Sequence, residues 1–235
     1  MRKDFALAEG AMHIDTSNNI HQLAFTLAEV LITLGIIGVV AALTIPGLIV
    51  DSRKEATAAN VKKFYNVINN AVQFAVADNG DVSEWMGEIK NLSYNENLEF
   101  LQQYFLPYLK YTRYDNCYDN AVCVYMVGSG MFAFRYDSNG GDFFYFVNGK
   151  QEWNTRNAFS FQFNKIDGNA TSGNAVERQD VKTAVEPYVF EWNGLYEDLT
   201  NNSIRGCRKE NQVRGTYCTK LIQLNGWKIP KDYPW

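Results

Sequence analysis

Histidine is scarce in this chain of 235 residues. The two histidines, His13 and His21, both lie near the N-terminus, so residues 22–235 contain none. This absence removes the commonest general base and a common metal ligand from most of the chain. It also removes serine and cysteine nucleophiles that depend on an adjacent imidazole. We therefore expect neither an enzyme nor a cofactor.

A basic surface is also missing. The chain has 22 lysines and arginines against 26 aspartates and glutamates, which gives a formal net charge of −4. No stretch gathers the basic residues into the patch that binding to a phosphate backbone requires. The sequence therefore gives no indication of a nucleic-acid partner.

Cysteine is sparse and falls into two local pairs, Cys117 with Cys123 and Cys207 with Cys218. In a domain exported to an oxidising compartment, this spacing favours two short loops closed by disulfides. A four-cysteine metal site is the less favoured alternative, because the chain has no C-x-x-C pair.

What the sequence does contain is a long uncharged run. Residues Val30 to Val50 carry no charge, and a helix needs roughly 20 apolar residues to cross the hydrocarbon core of a bilayer. The run is therefore long enough to span a membrane. Glu29 immediately precedes it, and a carboxylate in such a position needs a partner if it is drawn inward.

The segment AFTLAEVLITLGIIGVVAALTIP, residues 24–46, resembles the leader junction and N-terminal helix of type IV pilin-like proteins. This family includes major pilins, minor pilins and the pseudopilins of type II secretion. The resemblance implies that a prepilin peptidase cuts between Ala24 and Phe25 and that the new N-terminus of Phe25 is methylated. It also implies that Glu29 and Thr26 are assembly residues, and that Glu29 neutralises the terminal amine of a neighbouring subunit.

Pro46 occupies the place where the family commonly has a proline that kinks the helix. A proline removes one backbone hydrogen bond inside a helix, and a membrane tolerates this loss where neighbouring groups compensate. The alternative is that Pro46 simply marks the point where the helix leaves the membrane.

Two other interpretations of the N-terminus stay open. An ordinary secretory signal peptide would be cut after the apolar run, near Val40-Ala41-Ala42. An unprocessed N-terminal membrane anchor would show the same hydropathy.

The expected fold is α+β and pilin-like, with a long N-terminal helical spine packed on an antiparallel β-sheet head. We divide the chain into a leader (1–24), a transmembrane helix (25–50), an amphipathic spine helix (51–80) and a β-rich head (81–235). The amphipathic half follows from small and apolar residues at three- and four-residue steps between Ala56 and Ala75. It is predicted to stop at the breakers in 78–81.

Within the head, residues 82–111 favour a mixed helical segment and three strands are predicted near 122–127, 131–136 and 142–147. Asn148-Gly149 predicts a tight type I′ hairpin, in a segment that loosely resembles one found in pseudopilin heads. Residues 167–180 are expected to form a loop and residues 221–229 a last strand and a turn. The aromatic tail from Pro230 to Trp235 is expected to dock on the head, because terminal aromatics generally need burial.

A weak candidate for a calcium site is the turn that carries Asp137, Asn139 and Asp142. Alternating oxygen ligands suit calcium, but Gly140 and Gly141 replace the rest of the known loop pattern, and the same residues form an ordinary hairpin loop.

The leading hypothesis is a structural filament subunit, a minor pilin or pseudopilin. It would be held in the cytoplasmic membrane by one span with its head outside, and would then assemble into a pilus or pseudopilus. The partners implied are the membrane, a prepilin peptidase and other subunits. The alternatives are a membrane-anchored extracytoplasmic binding protein that does not polymerise and, least favoured, an exported enzyme.

Overall fold

The computed structural model describes residues 25–85, 91–128, 130–137, 140–163, 184–211 and 215–235. The predicted leader with Ala24, the candidate ligand Asn139 and the predicted loop at 167–180 lie outside these ranges. The chain divides into two compact units, residues 1–47 and 48–235. In the first unit, the described residues are the start of helix α1.

Helix α1 runs from Leu27 to Asn79, with Pro46 inside it. The predicted stop is confirmed: the Gly80 amide donates to the carbonyl of Val76 at 3.0 Å, and Gly80 takes a positive φ of 82°. Glycine adopts this left-handed conformation without steric cost, which suits it to end a helix.

The second unit is built on the amphipathic half of α1. The buried residues of α1 follow helical spacing: Thr57, Ala58, Val61, Phe64, Ile68, Ala71, Val72 and Ala75. Phe64 stacks on Tyr145 of the sheet, with ring centroids 4.4 Å apart, and lies within 5.7 Å of the Phe132 ring. Because full burial of one such side chain stabilises a fold by roughly 1.5–3 kcal/mol, this face of the helix is fixed to the sheet.

Helical segments also connect α1 to the sheet, as predicted. A short 3₁₀ turn spans Val82–Glu84, helix α2 spans Tyr94–Tyr104, and a second 3₁₀ turn spans Leu106–Tyr108. Ser93 and Glu96 form a reciprocal capping box at the start of α2, which satisfies two backbone donors that helix geometry leaves open. Trp85 stacks on Tyr104 at 4.4 Å and ties this connection to α2.

The sheet has six antiparallel strands in sequential order. They are β1 (Tyr111–Asn116), β2 (Val122–Met126), β3 (Met131–Asp137), β4 (Gly140–Phe146), β5 (Ala158–Phe163) and β6 (Val185–Pro187). The three predicted strands correspond to β2, β3 and β4, and the α+β fold with a long N-terminal helix and an antiparallel sheet is confirmed. Strands β1 and β6 were not predicted.

The two faces of the sheet bury different residues, as strand alternation requires. The face toward α1 is almost wholly aromatic in its centre: Phe132, Phe134, Tyr136, Phe143, Tyr145, Phe159, Phe161 and Phe163. The other face carries smaller or mixed residues: Ala121, Cys123, Met131, Ala133, Phe144, Phe146 and Ala158. Trp153 covers this second face, with its ring 5.2 Å from Phe144 and 5.0 Å from Phe146.

The prediction of a tight hairpin at Asn148-Gly149 is wrong. Strand β4 ends at Phe146 and β5 begins at Ala158, so a long loop, residues 147–157, joins them. Of the two turn residues only Gly149 has a positive φ, whereas a type I′ turn needs both. The Asn157 side chain organises the loop, because its amide nitrogen donates to the carbonyls of Lys150 (2.9 Å) and Glu152 (3.0 Å).

The predicted last strand at 221–229 is also wrong, because helix α4 (Cys218–Leu224) begins before it. Cys218, Leu221 and Ile222 are buried at helical spacing, and the packing of this face selects the helix. Gly226 and Trp227 then turn the chain with positive φ values of 68° and 62°. A four-residue helix, α3 (Asp198–Asn201), precedes α4.

The prediction of a docked tail is confirmed. Tyr233 is buried, and its hydroxyl donates to the carbonyl of Thr155. The Thr155 hydroxyl in turn donates to the carbonyl of Pro234 at 2.5 Å. Burial raises the pKa of the Tyr233 hydroxyl well above its ordinary value and so favours the protonated form that donates this hydrogen bond.

Candidate functional site

Thr26 and Glu29 form a reciprocal pair at the start of α1. The Glu29 carboxylate accepts hydrogen bonds from the backbone N–H and the hydroxyl of Thr26, both at 2.8 Å. The Thr26 hydroxyl accepts from the Glu29 N–H at 3.2 Å. This arrangement is a capping box, which satisfies donors at a helix N-terminus and places a negative charge at the positive end of the helix dipole. Glu29 therefore has a local structural role in a single chain.

The helix that follows this cap is apolar and exposed. All but one of the side chains of residues 25–50 are exposed, and Phe25 is 84% exposed. Among the described residues, one helix is long and apolar enough to cross a membrane, and it is α1. Exposed apolar surface on this scale requires a lipid or protein environment.

Backbone hydrogen bonds from hydroxyls support the apolar half. The Thr33 hydroxyl donates to the carbonyl of Glu29 at 2.9 Å, and the Thr44 hydroxyl donates to that of Val40 at 2.9 Å. Both hydroxyls are thus satisfied within the helix, which lowers their cost in an apolar medium. Pro46 lies in unbroken helix, and its proposed role as a kink stays a prediction.

The two local cysteine pairs are disulfides, Cys117–Cys123 and Cys207–Cys218. Their Cα atoms are 5.8 Å and 4.6 Å apart, within the ordinary range for such bonds. The first closes the turn between β1 and β2, and the second ties the segment after α3 to the first residue of α4. The alternative of a four-cysteine metal site is wrong, because each cysteine is already bonded to its local partner.

Two of the carboxylates proposed for a weak calcium site, those of Asp137 and Asp142, lie beside an arginine that the sequence analysis did not single out. The Arg135 guanidinium lies 3.4 Å from the Asp137 carboxylate and 3.6 Å from that of Asp142. Asp142 is almost fully buried and lies opposite Arg135 in the register of β3 and β4. A buried carboxylate requires a counter-charge, and Arg135 supplies it without a metal.

A signal for Arg135 did exist in the sequence. In a hairpin centred on residues 138–139, positions 135 and 142 face each other, and opposite charges at facing positions stabilise a strand pair. Among the described residues, no group of three or more metal-ligating side chains comes together.

A family model matches residues 47–235, and its description is a family of unknown function, DUF6613. The chain belongs to this family. No curated protein and no solved structure matches it.

The DUF6613 match takes in the amphipathic half of α1, the sheet, both disulfides and the docked tail. Residues 1–46 lie outside the matched range, and they include Phe25, Thr26, Glu29 and Pro46. The family assignment therefore concerns the head and the half of α1 that packs on it. The N-terminal motif needs a separate test, which is whether the chain is cut before Phe25.

Proposed function

We propose that this DUF6613 protein is a structural subunit of a type IV pilus or of a type II secretion pseudopilus, in the position of a minor pilin or pseudopilin. A prepilin peptidase would cut between Ala24 and Phe25. Residues 25–50 would anchor the subunit in the cytoplasmic membrane with its head outside. The subunit would then assemble into a filament through helix α1.

One observation carries this proposal. Glu29 lies at the capped start of helix α1. Residues 30–50 of this helix are uncharged and, except for Ala41, exposed, and one face of its later residues is buried against an aromatic sheet. A simple membrane anchor uses this carboxylate only as a helix cap and does not need its charge to be paired. A filament subunit does, because pairing with another subunit's N-terminal amine neutralises the charge in a low-dielectric setting and fixes the axial position.

The capping box is compatible with that pairing. The two Thr26 donors both reach Oε2 of Glu29, and an ionised carboxylate has about four acceptor positions on its two oxygens. The hydrogen bonds from Thr26 hold the carboxylate in place, so that it loses little further freedom when an amine approaches. In this proposal Thr26 positions Glu29, and Glu29 makes the contact between subunits.

The disulfides support the proposed orientation of the head. Two disulfides in the described part of the head persist in an oxidising compartment and are rare in the cytosol. An extracytoplasmic head with a membrane-held helix is the arrangement that a secreted filament subunit requires before assembly.

The deciding experiment is N-terminal mapping of the full chain, extracted from membranes of cells that also produce a prepilin peptidase. The proposal expects an intact mass and an N-terminal peptide that begin at methylated Phe25, and no such product in cells with an inactive peptidase. A chain that begins near Leu43 would make the protein a secreted domain. A chain that remains uncut with active peptidase would leave a plain anchor and contradict the proposal.

A further inference from the structure

The chain contains five Asn-Gly steps, which begin at Asn79, Asn139, Asn148, Asn193 and Asn225. Such a step is chemically labile, because glycine has no side chain to hinder its backbone nitrogen when that nitrogen attacks the neighbouring amide carbon. The product of the attack is a five-membered succinimide ring. Folding changes the reactivity of each step, because it fixes the hydrogen bonds of the glycine N–H and of the asparagine side chain.

Three of these steps hold the glycine N–H in a backbone hydrogen bond. The attacking nitrogen has to lose its proton, so the hydrogen bond has to break before the reaction can start. These three steps are therefore protected, and Asn139 lies outside the described ranges. The protecting bonds, each from N–H to carbonyl, join Gly80 to Val76 at 3.0 Å, Gly149 to Phe146 at 3.1 Å and Gly226 to Gln223 at 3.0 Å.

The step at Asn193 lacks this protection. Within the described ranges, the Gly194 N–H donates to no acceptor. Asn193 is exposed, so water and hydroxide reach the site. Of the four described steps, this one alone has a free nucleophile.

The side chain of Asn193 is also held in place for the reaction. Its Oδ1 accepts the Leu195 N–H at 2.9 Å, which folds the side chain back over the peptide group that joins Asn193 to Gly194. The same bond stabilises the negative charge that develops on Oδ1 when a nucleophile adds to Cγ. One turn therefore both orients the amide carbon and makes it more electrophilic.

Asn148 provides a comparison within the same molecule. It is exposed as well, and its Oδ1 makes the same turn by accepting the Lys150 N–H at 2.8 Å. Its glycine differs, because the Gly149 N–H is held by the Phe146 carbonyl. Its Nδ2, the leaving group, also donates to the Glu152 carboxylate at 3.1 Å. The turn is thus common to both steps, and the protecting bonds are not.

We propose that Asn193 is a site of spontaneous modification, at which its side-chain amide is lost through a succinimide. Hydroxide takes the proton of the Gly194 nitrogen, which bonds to Cγ of Asn193. The bond from Cγ to Nδ2 then breaks, and the nitrogen takes a proton from water and leaves as ammonia. Water opens the ring at either of its two carbonyls, which gives aspartate or isoaspartate. In sum, one water is consumed and one ammonia is released, without an oxidant or a cofactor.

The modification changes the charge of an exposed surface. Asp198 Oδ2 already accepts the Asn193 backbone N–H at 3.4 Å, so the new carboxylate forms close to an existing one. Leu195 and Tyr196 follow directly in the chain and are 63% and 45% exposed. The surface that carries these two side chains therefore gains negative charge as the protein ages. The inference goes beyond the proposed filament function and does not depend on it.

The test follows the loss of ammonia in the full chain, with both disulfides intact, in mildly alkaline water labelled with heavy oxygen. Peptide mapping by mass spectrometry should find the label at residue 193, in both aspartate and isoaspartate. The rate there should exceed that at Asn148 by about fivefold or more, the factor that one hydrogen bond of ordinary strength represents. In the reduced chain unfolded in urea, the two rates should approach each other.

The matched control is Asn193→Gln, because a glutamine would have to close a ring that is one atom larger. This variant should lose the label at residue 193 and the corresponding acidic species in isoelectric focusing, while Asn148 reacts as before. Acidic species that persist in the variant would overturn the assignment to Asn193.

Two further results would contradict the proposal. Equal rates at Asn193 and Asn148 in the folded chain, or the same ratio in the folded and unfolded chains, would show that hydrogen bonding of the glycine does not select the site. Aspartate without isoaspartate would indicate direct hydrolysis and exclude the ring. None of these measurements requires cleavage before Phe25 or assembly, so the outcome is independent of the filament function.

Discussion

Asn69 of helix α1 and Val185 of strand β6 exchange two hydrogen bonds, although 116 positions separate them in the chain. The Val185 N–H donates to Asn69 Oδ1 at 2.8 Å, and Asn69 Nδ2 donates to the Val185 carbonyl at 2.9 Å. An amide side chain thus makes the pair of bonds that a further strand would make. The outer edge of β6, which would otherwise be open to another chain, is closed at this point by the helix.

Asn69→Ala should lower the free energy of unfolding by about 1–3 kcal/mol, because it leaves two backbone groups of a buried residue without partners. Urea denaturation, with tryptophan fluorescence as the signal, measures this change. Asn70→Ala is the matched control, since Asn70 is exposed on the same helix, and it should change stability little. Equal effects of the two variants would show that the two hydrogen bonds between Asn69 and Val185 contribute nothing specific to stability.

Glu29→Val should abolish filament incorporation while membrane insertion and both disulfides persist, because the carboxylate that pairs with an amine is lost. Thr26→Val distinguishes pairing from capping. It removes the hydroxyl, at a typical cost of about 1 kcal/mol to the helix start, but leaves the carboxylate. Immunoblots of sheared filaments measure incorporation, and immunoblots of membranes measure insertion. Because Thr26 positions Glu29, its variant should reduce incorporation only in part, and unchanged incorporation of Glu29→Val would show that the pairing hypothesis is wrong.

The charges that flank the apolar run and the disulfides predict opposite orientations of the head. Arg53, Lys54, Lys62 and Lys63 follow the run, and residues 4–29 contain no lysine or arginine, a bias that by itself favours a cytoplasmic head. The disulfides require an oxidising compartment, and we expect them to report the true orientation. Cells lysed in denaturant with a maleimide should show no labelled cysteine before reduction and four after it. Four labelled thiols before reduction would place the head in the cytoplasm.

Tyr65 should make the head less stable at alkaline pH. Burial, together with the neighbouring Glu186 carboxylate, which accepts its hydroxyl at 3.2 Å, raises the pKa of Tyr65 to about 12. An unfolded tyrosine titrates near pKa 10, so between about pH 10 and 12 the unfolded chain has released a proton that the folded chain retains. The stabilising contribution of Tyr65 is complete below pH 10 and is lost as the pH rises toward 12.

The measurement is the urea midpoint between pH 9 and 12, compared for the unmodified chain and Tyr65→Phe. The variant should show a shallower decline across this range, because one proton less is released on unfolding. Glu186→Gln serves as a control, since it removes the neighbouring negative charge but leaves the burial of the hydroxyl, and it should lower the pKa of Tyr65 only in part. Parallel declines for all three proteins would show that Tyr65 is not coupled to folding.

Elements with a long, regular hydrophobic pattern were predictable from the sequence, and elements chosen by their neighbours were not. The stop of α1 and strands β2, β3 and β4 followed from breakers and alternation. The type of α4 did not, because residues 221–229 permit both an alternating and a helical interpretation and only the burial of Cys218, Leu221 and Ile222 decides between them. The prediction of a tight turn at Asn148-Gly149 was wrong for a similar reason. Asn157, which lies outside the turn, holds the loop through its hydrogen bonds to Lys150 and Glu152.

The candidate site shows the same division. The apolar run is a local feature, so the sequence indicated where the helix begins and how long it is, whereas the capping box of Thr26 and Glu29 was found only in the structure. The disulfide pairing was favoured by short spacing, and the structure selected it over a metal site. Arg135 was missed because its partner Asp142 becomes a neighbour only when β3 and β4 pair in one register.

The sequence by itself determined the local features: where the apolar run begins and ends, which face of α1 is apolar, and the absence of histidine from residues 22–235. These depend on helix rise, on periodicity and on composition, which involve only residues close together in the chain. Only the tertiary structure decided that Asn69 closes β6, that Arg135 balances a buried Asp142 and that Tyr233 returns to Thr155. Each of these contacts gains its energy from burial and register between distant segments, and packing of the whole domain sets both.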